Sequence, residues 1–300
     1  MNIVEATGLT KAYSHVRAVD NVTLKITAGE IYGFLGLNGA GKTTTMRMLL
    51  GMIKPTEGSI SLFGSDISRF NWGNVGYMIE STHAYPDLTV FQNLKVFYRY
   101  YGLKDAEVIL EAAVLLGIDR YMNTKAAHLS LGNLQRLGLA KAILHKPKLL
   151  ILDEPINGLD PSGIVEVRNF LKQLSANGVT ILISSHLLGE VSKIADKIGI
   201  IHEGKLLREV ESRELHDELE RKLIVHTTDN HKAIAVLQTR GFDGNVNEEG
   251  ELELMDKRAI SVPEDISKLL VHADLPPKKV FMYEEDLETY FLRIISTKNQ

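Results

Sequence analysis

The stretch Gly36-Leu37-Asn38-Gly39-Ala40-Gly41-Lys42-Thr43-Thr44 constrains this chain more than any other. It fits the phosphate-binding loop pattern, with glycines at 36 and 41 and a Lys42-Thr43 close. Residues 31–35 before it form a short apolar run, as a buried strand requires, and residues 43–50 after it lack Gly and Pro and can be helix. Strand, glycine-rich loop and helix N-terminus together make an anion cradle. Glycines let successive backbone N–H groups turn inward around a phosphate. The helix start adds the equivalent of roughly half a positive charge at the same place. In such a loop Lys42 reaches the β- and γ-phosphates, and the Thr43 hydroxyl can ligate Mg2+.

The rest of the composition sets limits. A chain of 300 residues holds one large domain or two smaller ones. A net charge of −4 gives no support to a general nucleic-acid binder. The absence of cysteine excludes disulfides and thiolate metal sites. The start, Met-Asn-Ile-Val-Glu-Ala-Thr, lacks the basic and apolar blocks of a secretory signal. No window approaches 18 uninterrupted apolar residues, so the chain is not expected to span a membrane, and any pore must come from another chain.

Along the chain, alternation around residues 3–6 and 22–26 predicts antiparallel strands, with turns at Asp20-Asn21 and Ala28-Gly29. Tyr13 lies between these strands. Strands are expected at 59–63 and 75–79, the latter followed by Glu80. A helix capped near Asp87 or Thr89 carries Phe91, Leu94, Phe97, Tyr98 and Tyr101 at helical spacing, and a second runs over about 105–116. This aromatic pair is either core or a docking surface. Ser130 is a candidate N-cap for a helix over 134–144. The apolar run 149–152 ends in Asp153-Glu154. At the C-terminal end of a strand in an open α/β sheet that is where ligand binds, and there Asp153 can hold Mg2+ while Glu154 polarises an attacking water. Asn157-Gly158-Leu159-Asp160-Pro161 is a turn into a helix, and the strand 179–183 leads to Ser184-Ser185-His186. Past residue 211 the character changes. A charged helical connector (211–221) precedes an alternation of short strands at 223–226, 251–255 and 279–283 with helices at 231–239, 263–271 and 285–295. No catalytic constellation, repeat or low-complexity tract is visible there.

Taken together, these motifs resemble the ABC transporter ATPase family over residues 1–210. Gly36 to Thr44 matches Walker A, Leu149 to Glu154 Walker B with the catalytic glutamate, Gly158-Leu159-Asp160 the D-loop and His186 the switch histidine; Tyr13 matches the aromatic that stacks on adenine. The resemblance implies a P-loop α/β fold with a RecA-like core, an antiparallel β subdomain and a helical subdomain at about 85–145, followed by a small α/β appendage over 222–300. Two motifs depart from the family form. The signature reads Leu129-Ser130-Leu131-Gly132-Asn133 instead of Leu-Ser-Gly-Gly-Gln, keeping Ser130 and Gly132 as the residues expected to cap the γ-phosphate across a dimer. Glu80 replaces the glutamine that touches Mg2+, and a carboxylate can still serve a hard cation.

These departures, with Tyr85-Pro86-Asp87-Leu88-Thr89, are similar to the bacitracin- and lantibiotic-resistance branch. The resemblance implies an ATP- and Mg2+-dependent ATPase, homodimeric or paired with a second ATPase chain, that drives a separate membrane permease from the cytoplasmic face of the cell membrane. Each ATP would sit between Lys42, Thr43 and Asp153 of one chain and Ser130, Gly132 and Asn133 of the other. The alternative is a soluble non-transport or regulatory ATPase of the same family. Ribosome-acting members usually carry two ATPase domains, and DNA-repair members carry long coiled coils; neither is visible here.

Overall fold

The computed structural model describes residues 1–80 and 83–296. It contains two compact units, one of Met1–Glu214 together with the described residues from Ile294 on, the other of Leu215–Arg293. The division falls inside the charged stretch expected to be a connector.

The first unit runs β1 (Asn2–Tyr13), β2 (Val16–Thr27), β3 (Ile31–Leu35), α1 (Lys42–Leu49), β4 (Glu57–Leu62), β5 (Ser65–Asp66), β6 (Val75–Met78), α2 (Val90–Tyr100), α3 (Glu107–Leu115), α4 (Leu131–Ile143), β7 (Leu149–Asp153), α5 (Pro161–Ala176), β8 (Thr180–Ser185), α6 (Leu188–Val191), β9 (Lys197–His202) and β10 (Lys205–Glu211). Two sheets result. One is antiparallel in the order β2-β1-β4-β5; the other has the order β10-β9-β3-β8-β7-β6, parallel from β9 to β6. Strands β3, β7 and β8 are buried at every residue, which is why they read as continuous apolar runs rather than alternating ones. β1 and β2 bury alternate residues, as a sheet covered on one face does.

Helix α1 lies between the two sheets. Its Met46, Met48 and Leu49 share one core with Val4, Leu9, Val22 and Leu24 of the antiparallel sheet and with Leu149 and Ile151 of β7. Each fully buried side chain of this size contributes about 1.5–3 kcal/mol, so the helix is held from both sides and its N-terminus cannot drift. Asp20-Asn21, expected as a turn, is instead a bulge within β2. Leu9 pairs with Val22 and Lys11 with Val19, so β2 carries one extra residue. Asn21 absorbs it at φ 54, a left-handed conformation that Asn tolerates, and its N–H is satisfied by Thr10 Oγ1 at 3.1 Å. In the helical segment, α2 starts on a capping box between Thr89 and Gln92.

The second unit contains most of α7 (Ser212–Glu218), then β11 (Arg221–His226), α8 (Asn230–Thr239), β12 (Gly244–Val246), β13 (Leu252–Leu254), α9 (Lys257–Ser261), α10 (Pro263–His272), β14 (Lys279–Glu284) and most of α11 (Leu287–Ser296). Its sheet, β12-β13-β11-β14, is antiparallel throughout. β12 and α9 were not foreseen: Gly244-Asn245-Val246 is too short and polar to show a period, and α9 has five residues. Leu223, Val225, Leu252 and Leu254 pack with Ala233, Leu237, Ile266 and Leu270 of the helices to form its own core.

Candidate active site

The loop after β3 wraps a cavity of about 180 Å³ lined by residues 37–44 with Ala18, Asp153 and Glu154. Gly41 precedes α1 at φ 106, and a Cβ there would stand 2.5 Å from Ala18 O. A side chain at Gly36 would meet Ile201 O at the same 2.5 Å. The loop therefore closes only with these glycines. No side chain caps α1, which leaves the helix start open to an anion.

Lys42 is 5% exposed, and its Nζ donates to Gly36 O at 2.6 Å and Leu37 O at 3.3 Å. It also faces Glu154 Oε1 at 3.4 Å. That contact is an ion pair without hydrogen-bond geometry, since Oε1 is buried with no hydrogen-bond partner. The carboxylate thus keeps one buried oxygen without a hydrogen bond beside the cradle.

Asp153 ends β7 and is 2% exposed. Its Oδ2 accepts from Thr43 Oγ1 at 2.7 Å, and its Oδ1 accepts from the Ser184 hydroxyl. Sheet order explains this meeting. β8 lies between β3 and β7, and Asp153 pairs directly with Ser184. Glu154 sits at φ 50, with its N–H donating to Ser184 O at 3.2 Å. Its carbonyl accepts from Gln135 Nε2 at 2.9 Å, and its Oε2 lies 2.9 Å from His186 Nδ1. A non-glycine residue held left-handed is strained by about 1–3 kcal/mol; these contacts from α4, β8 and His186 fix it.

The donor set fits a hard divalent cation. Thr43 and Asp153 offer a hydroxyl and a buried carboxylate that already touch at the mouth of the cradle. Among the described residues no cluster of three or more His, Asp or Glu could hold a metal alone; a Mg2+ ion held by one or two protein ligands completes its shell with phosphate oxygens and water.

A second, open hollow of about 800 Å³ is lined by Ser130, Leu131, Gly132, Asn133, Gly158, Leu159 and Asp160 among others. It gathers the signature and D-loop residues on one wall. Ser130 caps α4, accepting from Asn133 N at 3.3 Å. Asp160 caps α5, accepting from Ser162 Oγ at 2.7 Å and Gly163 N at 3.1 Å. The Ser162 hydroxyl, then the Gly163 N–H, hold its carboxyl below the usual range. Leu131, where the family pattern has glycine, rests on the D-loop: a Cβ at Gly158 (φ 74) would lie 2.4 Å from Leu131 Cδ2.

Two expected site residues fall elsewhere. Glu80 does not line the cradle. It is exposed, at φ 60, and its Oε1 pairs with Arg47 Nη2 of α1 at 2.6 Å. Tyr13 ends β1 half-exposed, with Lys11 Nζ 5.1 Å from its ring centre; only Ala18 of the β1–β2 hairpin lines the cradle. Ser184 and Gln135 were not singled out in the sequence, because their proximity to Asp153 and Glu154 comes from strand pairing and helix packing.

Comparison with known proteins agrees with this geometry. Residues 19–157 match the family model described as ABC transporter. The bacitracin transport ATP-binding protein BcrA of Bacillus licheniformis is 38% identical over 98% of this chain and 97% of its own length. The lantibiotic transport ATP-binding protein SrtF of Streptococcus pyogenes is 41% identical over 68% of this chain and 88% of its own. A solved ATP-binding subunit of an ABC transporter superposes with a TM-score of 0.66 at 28% identity, over 72% of this chain and 92% of that one. A dimeric ATP-binding cassette with ADP and Pi has the same fold, with a TM-score of 0.65 at 23% identity, over 70% of this chain and 99% of that one. The chain belongs to the ABC transporter ATP-binding family, and it is an ATPase of that family. Among the described residues no helix is long and apolar enough to cross a membrane.

Proposed function

We propose that this chain powers a separate membrane permease that exports an antimicrobial peptide or drug of the bacitracin or lantibiotic kind. The observation that carries this reading is the end-to-end match to BcrA, which extends through the second unit. The chain acts from the cytoplasmic face of the membrane, as a homodimer or with a second ATPase chain.

The site residues divide the work. The loop N–H groups of residues 37–44 and Lys42 take the β- and γ-phosphates, and Tyr13 stacks on the adenine. Thr43 and Asp153 hold Mg2+, which supplies neutralisation of charge on the transferred phosphoryl group. Glu154, whose Oε1 has no hydrogen bond within the chain, accepts one from the attacking water once Lys42 turns to the phosphates, and orients that water in line. His186 holds the other carboxylate oxygen and faces the γ-phosphate. Lys42 then exchanges its loop carbonyl partners for phosphate oxygens, so an ammonium that is already buried gains an anionic partner. Ser130, Gly132 and Asn133 of a second chain close over the γ-phosphate, with Asp160 beside them at the interface. For Glu80 to serve the cation it must first leave Arg47.

Glu154→Gln is expected to bind ATP, to lose turnover by roughly 10²–10⁴-fold, and to accumulate as a nucleotide-bound dimer in sedimentation. In cells that express this chain, deleting it should raise susceptibility to bacitracin or a lantibiotic, and wild type but not Glu154→Gln should restore resistance. Unchanged susceptibility with intact ATPase activity in vitro would remove the export reading and leave the ATPase.

A further inference from the structure

Strand β8 is apolar through Ile181-Leu182-Ile183 and then buries a hydroxyl at Ser184, which is 0% exposed. A buried hydroxyl is destabilising unless it is hydrogen-bonded. Ser184 lies opposite Phe34 of β3 on one side and Asp153 of β7 on the other. Side chains opposed across a sheet share a face. The Ser184 hydroxyl and the Asp153 carboxylate therefore meet by strand register.

The partners leave this hydroxyl one arrangement. A carboxylate only accepts and a backbone N–H only donates, whereas a hydroxyl has one hydrogen and two lone pairs. Ser184 Oγ thus donates to Asp153 Oδ1 and accepts from Glu154 N, 3.1 Å away. Asp153 is fixed in turn. The χ2 torsion of an aspartate is broad and close to two-fold, so a carboxylate held at one oxygen can still swing the other. Here Thr43 Oγ1 holds Oδ2 at 2.7 Å and Ser184 holds Oδ1. The chain itself sets the carboxylate plane, with Oδ2 beside Thr43 on the wall of the phosphate cradle.

We propose that Ser184 is a positioning residue for the divalent cation of the bound nucleotide. It acts through Asp153 rather than on the ion: by holding Oδ1 it keeps Oδ2 and the Thr43 hydroxyl aimed at one place. The inference rests on the reading of Asp153 and Thr43 as cation ligands. Removing a group that hydrogen-bonds a metal ligand from behind typically costs about 10–100-fold in metal affinity or activity. The other contact of this hydroxyl matters less. Ser184 O accepts the same Glu154 N–H at 3.2 Å, so loss of the hydroxyl leaves that N–H satisfied and releases Asp153 Oδ1.

The test measures binding rather than turnover. The affinity of the full chain for a non-hydrolysable ATP analogue is taken by calorimetry in EDTA and again in excess Mg2+. The ratio of the two is the tightening that the ion contributes. In Ser184→Ala the affinity in EDTA should stay within about twofold of wild type, while the tightening falls roughly tenfold. Ser184→Thr and Ser184→Val have the same shape and differ in the hydroxyl. The threonine variant should keep the tightening and the valine variant should lose it. Equal tightening in wild type and Ser184→Ala would overturn the proposal. So would an affinity that falls equally with and without the ion, which marks a packing role, or loss of tightening in the threonine variant as well. Asp153→Asn separates the two readings. Tightening that survives it would remove the cation role of Asp153 and this inference together; tightening lost there and kept in Ser184→Ala would remove this inference alone.

Discussion

The phosphate cradle and the signature hollow are both built from loops that end on helix N-termini, yet they hold their polar groups in opposite ways. In the cradle, Lys42 and Asp153 are almost wholly buried, and each is satisfied by the chain itself. In the hollow, Ser130 and Asp160 spend their side chains on capping α4 and α5, and Leu131 stands 63% exposed above them. The first is a finished receptor. The second is a rigid, open surface whose shape is set by its own caps and whose ligand contacts must come from outside.

The contrast breaks first at Lys42. Lys42→Ala removes a buried ammonium and leaves Glu154 without its ion-pair partner, so nucleotide affinity measured by calorimetry should fall by about 2–5 kcal/mol. Unchanged affinity would mean that the loop N–H groups alone hold the phosphates. Gly158→Ala should lower stability by about 1–3 kcal/mol in denaturant titration, because it adds both a left-handed strain and a clash with Leu131. Adding Leu131→Ala should recover the part due to the clash; no recovery would show that Leu131 does not support the D-loop.

Ser130 separates capping from binding. Ser130→Ala should cost about 1 kcal/mol of stability, whereas Ser130→Asp keeps a capping oxygen and should hold the melting temperature near wild type. Both variants should retain nucleotide binding as monomers. Ser130→Asp should lose the ATP-dependent dimer, because a carboxylate would face phosphate; a dimer that survives would place the signature away from the triphosphate.

The remaining effect is a slope with pH, spread over the window between two pKa values. Burial lowers Lys141 of α4 to about 8, below its ordinary value of 10.5. Between these values the unfolded chain binds more protons than the folded one, so stability rises with pH across that window and gains nothing below it. Lys141→Met should remove this rise in denaturant titrations taken between pH 7 and 10.

Much of this arrangement is legible in the sequence. The glycine spacing of residues 36–44 and the carboxylates ending an apolar run at Asp153 are local patterns, and local patterns survive folding. Thr89 and Ser130 were also legible, because a cap acts within three residues. Asp20-Asn21 misled for the same reason: turn chemistry was read correctly, but the strand continued around it as a bulge because β1 and Thr10 supplied partners. The partner of Glu80 is not legible in the sequence: its place in the motif points to the cation, and its contact with Arg47 of α1 comes from packing.

The sequence by itself determined the chemistry available: a glycine-bounded anion loop, a lysine, a hydroxyl, two adjacent carboxylates and a histidine, each readable because its neighbours in the chain define its backbone. Tertiary structure alone decided which of these touch. The order β3-β8-β7 set Ser184 against Asp153, packing of α4 brought Gln135 to the Glu154 carbonyl, and two sheets clamped α1 behind the loop. Contacts between residues far apart in the chain depend on pairing register and core packing, and neither leaves a mark within any single stretch of sequence.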